Sequence, residues 1–469
     1  MSIHTRIFYA IIFISVFLFS SCEDFVEIEQ PDHLITREAV FNSDATASNA
    51  LNGIYNQLFR NSYANGGNRS VTFLGGISAD NFKVTSNINE IIEFGQNNIT
   101  PPNSWNLDLW SSAYNVVYMT NAILEGINGP NNLSEETKKS LEGEAKFLRA
   151  FTYFYLTNLY KDVPLILSTD YQQNAITSKT DSNQIYEQVI LDLEEALPLV
   201  PQDYINGERT RPNTFAVIAF LARVHLYLGN WQEAENYSTQ VIEHTALYKL
   251  LDDPNEVFLA NSEEAIWQLS PIGWGTSFTH TMEGNLFIAT PTNNTLVTLS
   301  QDFMELWEDS QDNRFTNWVD SLSTNNQNKF YPHKYKVQYD ASGGQIGEYS
   351  MVLRLAEQYL IRAEARARMG EVNEAITDID TLRSRANISL LSETQQDLNQ
   401  EELLNLILEE RRKELFAEWG HRWFDLRRFG ASSILSEKED TTWEEKSLWL
   451  PIPEDELFKN PNLIQNEGY

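Results

Sequence analysis

The sequence predicts a mainly α-helical protein: a scaffold of tetratricopeptide-like helical hairpins with an irregular, loop-rich region inserted into it. Three observations predict it. Apolar residues recur at helical spacing through residues 108–197. A helical hairpin turned by a glycine occurs twice further on. Between those two copies, from Tyr248 to Tyr349, the helical period is lost.

The 469 residues are 42% hydrophobic, enough to bury a substantial core in one large domain or two. A single cysteine excludes any internal disulfide, so stability must come from packing. The formal net charge of −32 argues against nucleic acid, anionic lipid headgroups and heavily charged polysaccharides as ligands. It suits a neutral ligand or a partner with basic patches, although acidity also serves solubility alone.

Taken in order, the chain opens with a short start carrying Arg6 and then the uncharged run Ile7–Phe19. Such a run is too short for a bilayer, which needs roughly 20 apolar residues, and suits a signal peptide. It ends in Phe19-Ser20-Ser21-Cys22, which resembles a bacterial lipobox. Residues 1–21 are therefore expected to be a lipoprotein signal peptide, with Cys22 the lipidated first residue of the mature chain. Each buried acyl methylene would add about 0.8 kcal/mol to anchoring. Residues 22–34, with Glu23, Asp24, Glu27 and Glu29, read as a polar tether.

From about Ile35 the chain reads as helix after helix. Ala47–Phe59 is one candidate. Asp108–Ile127 is a second, with Ala113, Val116, Val117, Thr120 and Ile123 on one face. Glu135 and Glu136 favour a helix start, and that helix carries Leu141, Ala145, Leu148, Thr152, Tyr155 and Leu159 until Pro164 closes it. Ile185, Val189, Leu193 and Leu197 make the next stripe. The repeated hairpin follows: Ala222 then Gly229-Asn230-Trp231-Gln232-Glu233-Ala234, matched by Ala363 then Gly370-Glu371-Val372-Asn373-Glu374-Ala375. Small residues let the two helices approach and the glycine permits the turn, as in a tetratricopeptide unit that must stack on neighbours. The expected layout is a helical region at 35–247, a loop-rich variable region at 248–349 and a second helical region at 350–469, with 22–469 one compact unit. A further irregular stretch is expected at Asn61–Asn106.

No motif of covalent, phosphoryl-transfer or zinc-protease chemistry is present. The seven histidines are scattered, and no cofactor or metal site is expected. Glu409-Glu410 and Asp312 could be nominated as glycosidase carboxylates, but Arg411, Arg412 and Lys413 directly after Glu409 and Glu410 point to a structural ion-pair network. The chain is expected not to be an enzyme. Aromatic residues among glycines and amides suggest binding instead, because sugar rings stack apolar faces on aromatic rings while their hydroxyls bond amides and carboxylates. On that chemistry the candidate ligand-binding residues are Asp80, Asn81, Trp105, Trp274, Phe278 and Phe287, with Asn285, Asn293 and Asn294 nearby. Trp110, Trp231, Trp419 and Trp423 are assigned to packing on helical stripes.

The C-terminal third carries a family resemblance. Leu353-Arg354-Leu355-Ala356-Glu357, Leu360-Ile361-Arg362-Ala363-Glu364-Ala365, Glu410-Arg411-Arg412-Lys413-Glu414-Leu415, Gly420-His421-Arg422-Trp423-Phe424-Asp425-Leu426-Arg427-Arg428 and Leu450-Pro451-Ile452-Pro453 stand in one order. The series resembles the SusD/RagB family of Bacteroidetes outer-membrane lipoproteins, and Cys22-Glu23-Asp24-Phe25 and Asp312-Asn313-Arg314 agree with it. The resemblance implies four tetratricopeptide-like units and a variable face that binds oligosaccharide, or peptide in some members. It implies a lipid anchor in the outer membrane, facing the cell exterior, and a SusC-like TonB-dependent transporter as partner. Arg411, Arg412, Arg422 and Asp425 are expected to pair within the scaffold rather than touch ligand.

Overall fold

The structure is a computed structural model that describes residue 3 and residues 36–60, 63–271, 278–291, 295–307, 311–324, 327–395, 397–430, 432–438 and 440–469. Cys22, the tether, Trp274, Asn293 and Asn294 lie outside the described residues. Among the described residues, no helix is long and apolar enough to cross a membrane.

The N-terminal portion holds α1 (Asp44–Arg60), α2 (Val71–Ser78), β1 (Phe82–Val84) and α3 (Asn89–Gly95). The long helices α4 (Ser104–Asn128) and α5 (Glu135–Tyr160) follow, then α6 (Ser182–Ala196) and the hairpin of α7 (Thr214–Leu228) and α8 (Trp231–Ile242). The middle region supplies β2 (Ala265–Leu269), α9 (Met282–Phe287), β3 (Val297–Leu299), α10 (Gln301–Glu305), β4 (Val319–Thr324) and β5 (Gln327–Pro332). After β6 (Ser350–Arg354) come α11 (Leu355–Met369), α12 (Val372–Arg385), α13 (Gln400–Glu414) and α14 (His421–Arg428).

Helix starts and stops follow local chemistry. The Ser134 hydroxyl accepts the Thr137 N–H at the start of α5, and Asn399 and Glu402 form a reciprocal cap on α13. Gly229 and Gly370 end α7 and α11 at φ +73° and +86°, the left-handed conformation the repeated glycine was expected to supply. The two hairpins stack directly: Ala222, Leu226 and Ala234 of the first pack with Ile361 and Ala365 of the second. Neighbouring contacts run from α4 through α5 to α6, and from α7 through α8, α11 and α12, with α13 also against α11. Helix α5 is not merely striped, since every residue from Gly143 to Tyr160 except Lys146 is buried. Its Phe147, Phe151 and Phe154 meet Phe220 of α7, and Phe147 and Phe151 also meet Trp267 of β2.

Several expectations change. The stretch expected to be irregular at 61–106 is not a loop through its described residues 63–106: all eight residues of α2 are buried, and its Gly75 lies against Gly420 so closely that a Cβ would fall 2.9 Å from the Gly420 Cα. The region 248–349 holds strands whose partners are distant in sequence. β2 pairs antiparallel with β6 and β1 with β3, whereas β4 and β5 form a local hairpin. Trp419 is buried as expected, but in a turn at φ +43° rather than on a helix, and Trp231 is only half-buried.

The expected charge pairing is present and extensive. Arg411 Nε donates to Asp425 at 2.8 Å, Arg314 joins Asp312 and Glu410, and Glu414 accepts from both Arg354 and Arg385. All of these groups are buried, and each charge has an opposite charge in contact, the condition under which buried ions are tolerated.

Candidate functional site

The β1–β3 pair fixes one wall of a cleft of about 590 Å³. The α10 start forms another wall. Ser300 caps α10 by accepting the Phe303 N–H, donates its hydroxyl to the Asp80 carbonyl at 2.6 Å, and donates its own N–H to the Asn81 carbonyl at 2.9 Å. Phe82, Val84, Ile92 and Leu299 give the cleft apolar patches, while Gln96, Gln301, Asp302, Lys83 and Asp440 give it polar edges.

Asp80 forms the floor. Arg422 grips its carboxylate at 2.8 and 2.7 Å, and Arg412 lies 3.2 Å from the same group. Burial works to raise this carboxyl, but the Arg422 and Arg412 guanidiniums outweigh it and hold the pKa below its ordinary value. Arg412 Nε also donates to the Asn81 side-chain oxygen at 2.8 Å. Lys438 closes the opposite side, its ammonium donating to the Ile77 carbonyl at 2.8 Å. Burial pushes that lysine down to about 7, with Asp80 pulling the other way. Such a cleft offers bonds to hydroxyls and apolar contact to C–H faces, while the charge of its floor is already paired.

A ring cluster stands in the region 248–349. The Phe278 ring lies 6.1 Å from Tyr339 and 5.8 Å from His280, and His280 lies 5.1 Å from Tyr339. The backbone is pinned around it: the Thr279 N–H donates to the Asp340 carbonyl at 3.1 Å and the Asp340 N–H to His280 Nδ1 at 3.0 Å. Tyr339 is 59% exposed, so a braced ring is presented to solvent. Such a ring can stack a ligand at little entropic cost.

The residues expected from sequence do not form one cluster. Asp80 lines the cleft and Asn81 is buried beside it, with both side chains bonded to arginines. Phe287 lies behind the wall, stacked on Phe82 at 5.4 Å and only 3% exposed, so its ring is packing. Trp105 is likewise core, 5% exposed with Arg69 over its ring at 5.3 Å. Neither ring offers a free face, because tertiary packing covers both. Phe278 is half-buried in the ring cluster. Sequence reasoning missed Gln301, Asp302, Tyr339 and Lys438. Ser300 followed by Asp302 is a helix-start signal that could have placed the first two, but nothing local marks Lys438.

Comparison with known proteins converges on one family. A family model described as "Starch-binding associating with outer membrane" matches residues 24–226, and the SusD family model matches residues 291–447. A SusD-like protein of Formosa agariphila is 27% identical along 98% of this chain and 99% of its own length. The starch-binding protein SusD of Bacteroides thetaiotaomicron is 35% identical over 128 residues, 25% of this chain and 21% of that protein. Among solved structures, a SusD superfamily protein of Bacteroides vulgatus superposes with a TM-score of 0.79 at 23% identity, over 91% of this chain and 99% of its own. A laminarin-binding SusD-like protein superposes with a TM-score of 0.74 at 23% identity, over 92% of this chain and 100% of its own.

Proposed function

We propose, from the premise that the chain belongs to the SusD/RagB family, that it captures neutral oligosaccharide at the cell surface and passes it to a SusC-like TonB-dependent transporter. One observation carries the ligand class: a cleft whose apolar patches alternate with amides and carboxylates, on a chain of net charge −32. Hydroxylated, uncharged rings match that lining, whereas sulfated or uronic-acid polymers would meet like charge. The starch- and laminarin-binding relatives support the same class. No catalytic step is proposed.

The ligand face we assign is the cleft above Asp80 and Asn81 together with the cluster of Phe278 and Tyr339, to which the sequence adds Trp274. Cys22 is the anchor, lipidated and held in the outer membrane with the fold on the exterior side. Calorimetric titration with neutral oligosaccharides tests the face. Gln301→Ala, Phe278→Ala and Tyr339→Ala are each expected to weaken binding, the two ring deletions by about 1–3 kcal/mol lost per stacked ring by analogy with bases on aromatic platforms, with unchanged circular dichroism. Full affinity in all three variants would refute the assignment.

A further inference from the structure

Glu283 of α9 is 3% exposed, and its carboxyl is turned under the loop Tyr63–Ser70. Gly66 of that loop is in the left-handed conformation at φ +74°, so near that a Cβ would fall 2.1 Å from the Glu283 Cδ. Loop backbone therefore closes directly over the carboxyl. Oε1 accepts the Ser350 hydroxyl of β6, and Oε2 has no hydrogen-bond partner among the described residues. An unmet buried acceptor costs stability, and a buried carboxylate without a cation costs more.

Among the described residues, the charged groups packed around Glu283 offer it no cation. Glu418 is bonded by Lys334 at 2.5 Å and Arg354 at 2.9 Å. Glu348 accepts the Lys336 N–H at 2.6 Å, and the Tyr335 oxygen accepts the Met351 N–H at 2.9 Å. On the loop side, Tyr63 bonds Thr152 and Arg69 turns to Asp108 at 2.5 Å. On its own segment, His280 Nδ1 takes the Asp340 N–H. Burial, with Glu418 and Glu348 adding repulsion and the Ser350 bond opposing, raises Glu283 from an ordinary 4.5 to about 7.

We propose that Glu283 is a proton-operated latch: protonated, it lets α9 seat between the loop Tyr63–Ser70 and β6; ionised, it releases segment 278–291 from that loop. The segment carries Phe278, and its Phe287 backs the cleft wall through Phe82, so the latch governs both components of the ligand face. That consequence rests on the function proposed above, whereas the latch does not.

Because the seated state binds the proton more tightly than the open one, the opening equilibrium rises with pH. The rise is about tenfold per unit between roughly 4.5 and 7, and it levels off above. Hydrogen–deuterium exchange of the mature chain from pH 5 to pH 8, corrected for intrinsic exchange rates, follows it. Protection of 63–70 and 278–291 is expected to fall across pH 5–7 and then level. Glu283→Gln is expected to abolish the fall, while Glu348→Gln, which removes only a minor repulsion, keeps a fall that levels at slightly lower pH. Flat wild-type protection, or a Glu283→Gln profile that still falls, overturns the latch. Should Glu283→Gln not fold, carboxyl carbon NMR of the wild type decides: a Glu283 midpoint near 7 supports the latch and one near 4.5 overturns it. Saccharide affinity at pH 5.5 and 8 is read separately. Constant affinity beside pH-dependent exchange keeps the latch and overturns the ligand face.

Discussion

Replacing Asp425 by alanine should damage the fold before it touches any ligand. Asp425 is 1% exposed and accepts from Arg411 Nε and Arg428 Nη2, both at 2.8 Å. Arg428 would keep Glu364, which it holds at 2.7 and 3.0 Å. Arg411 would keep no side-chain hydrogen bond among the described residues, where its two terminal nitrogens already lack partners. Breaking a buried pair from one side costs about 3–5 kcal/mol. A chain of 469 residues, at about 2.1 cal/mol/K per residue, unfolds with an entropy of about 1 kcal/mol/K. The melting temperature should therefore fall by about 3–5 °C if the chain unfolds as one unit. Calorimetry of the wild type and variant measures this directly, and calorimetric titration of each folded protein measures ligand affinity. Arg411→Met/Asp425→Leu, which removes both charges, should recover some of the loss. Unchanged melting with lost saccharide affinity would refute the reasoning and place Asp425 in the binding site.

Three further outcomes follow from particular contacts. Gly370→Ala should cost about 1 kcal/mol in a melt, since φ is +86° and a Cβ there meets nothing within 4 Å, leaving backbone strain alone. Gly75→Ala should cost about 1–3 kcal/mol, because a Cβ 2.9 Å from the Gly420 Cα must push the two backbones apart; urea denaturation ranks the two variants. Acid should destabilise the core: burial works to raise Glu414 and Asp425, but their arginine partners win and hold both below the ordinary value. Their folded pKa values are depressed, so the stability they contribute is present above about pH 4.5 and is lost as pH falls below the unfolded values. Urea midpoints between pH 6 and 3 should drop, and less steeply in Arg411→Met/Asp425→Leu.

What sequence revealed and what it hid divide by range. The repeated hairpin was legible because its determinants are local: a helical apolar period, a small residue where helices approach, and a glycine at the left-handed turn. The extent of Glu135–Tyr160 was legible for the same reason. The pairing of β2 with β6 was not, because Ala265–Leu269 is a short run buried throughout, and its partner begins at Ser350. The floor of the cleft shows the same limit from the other side. The sequence marks Asp80 as a ligand contact and Arg412 and Arg422 as scaffold, with no local sign that they meet. Once they do, the carboxylate's charge is consumed, and the cleft is left with neighbouring amides and apolar patches. Trp105 and Phe287 look like ligand rings beside glycines and asparagines, and only tertiary packing shows that their faces are covered.

The central claim is that this face binds uncharged sugar. Titration of the mature chain against matched neutral oligosaccharides, their sulfated or uronic-acid counterparts, and peptides of similar length tests it most directly. Saturable binding of at least one neutral oligosaccharide is expected, weakened by Gln301→Ala or Tyr339→Ala, with no binding of the charged series. Binding confined to peptides or to the charged saccharides would contradict the account.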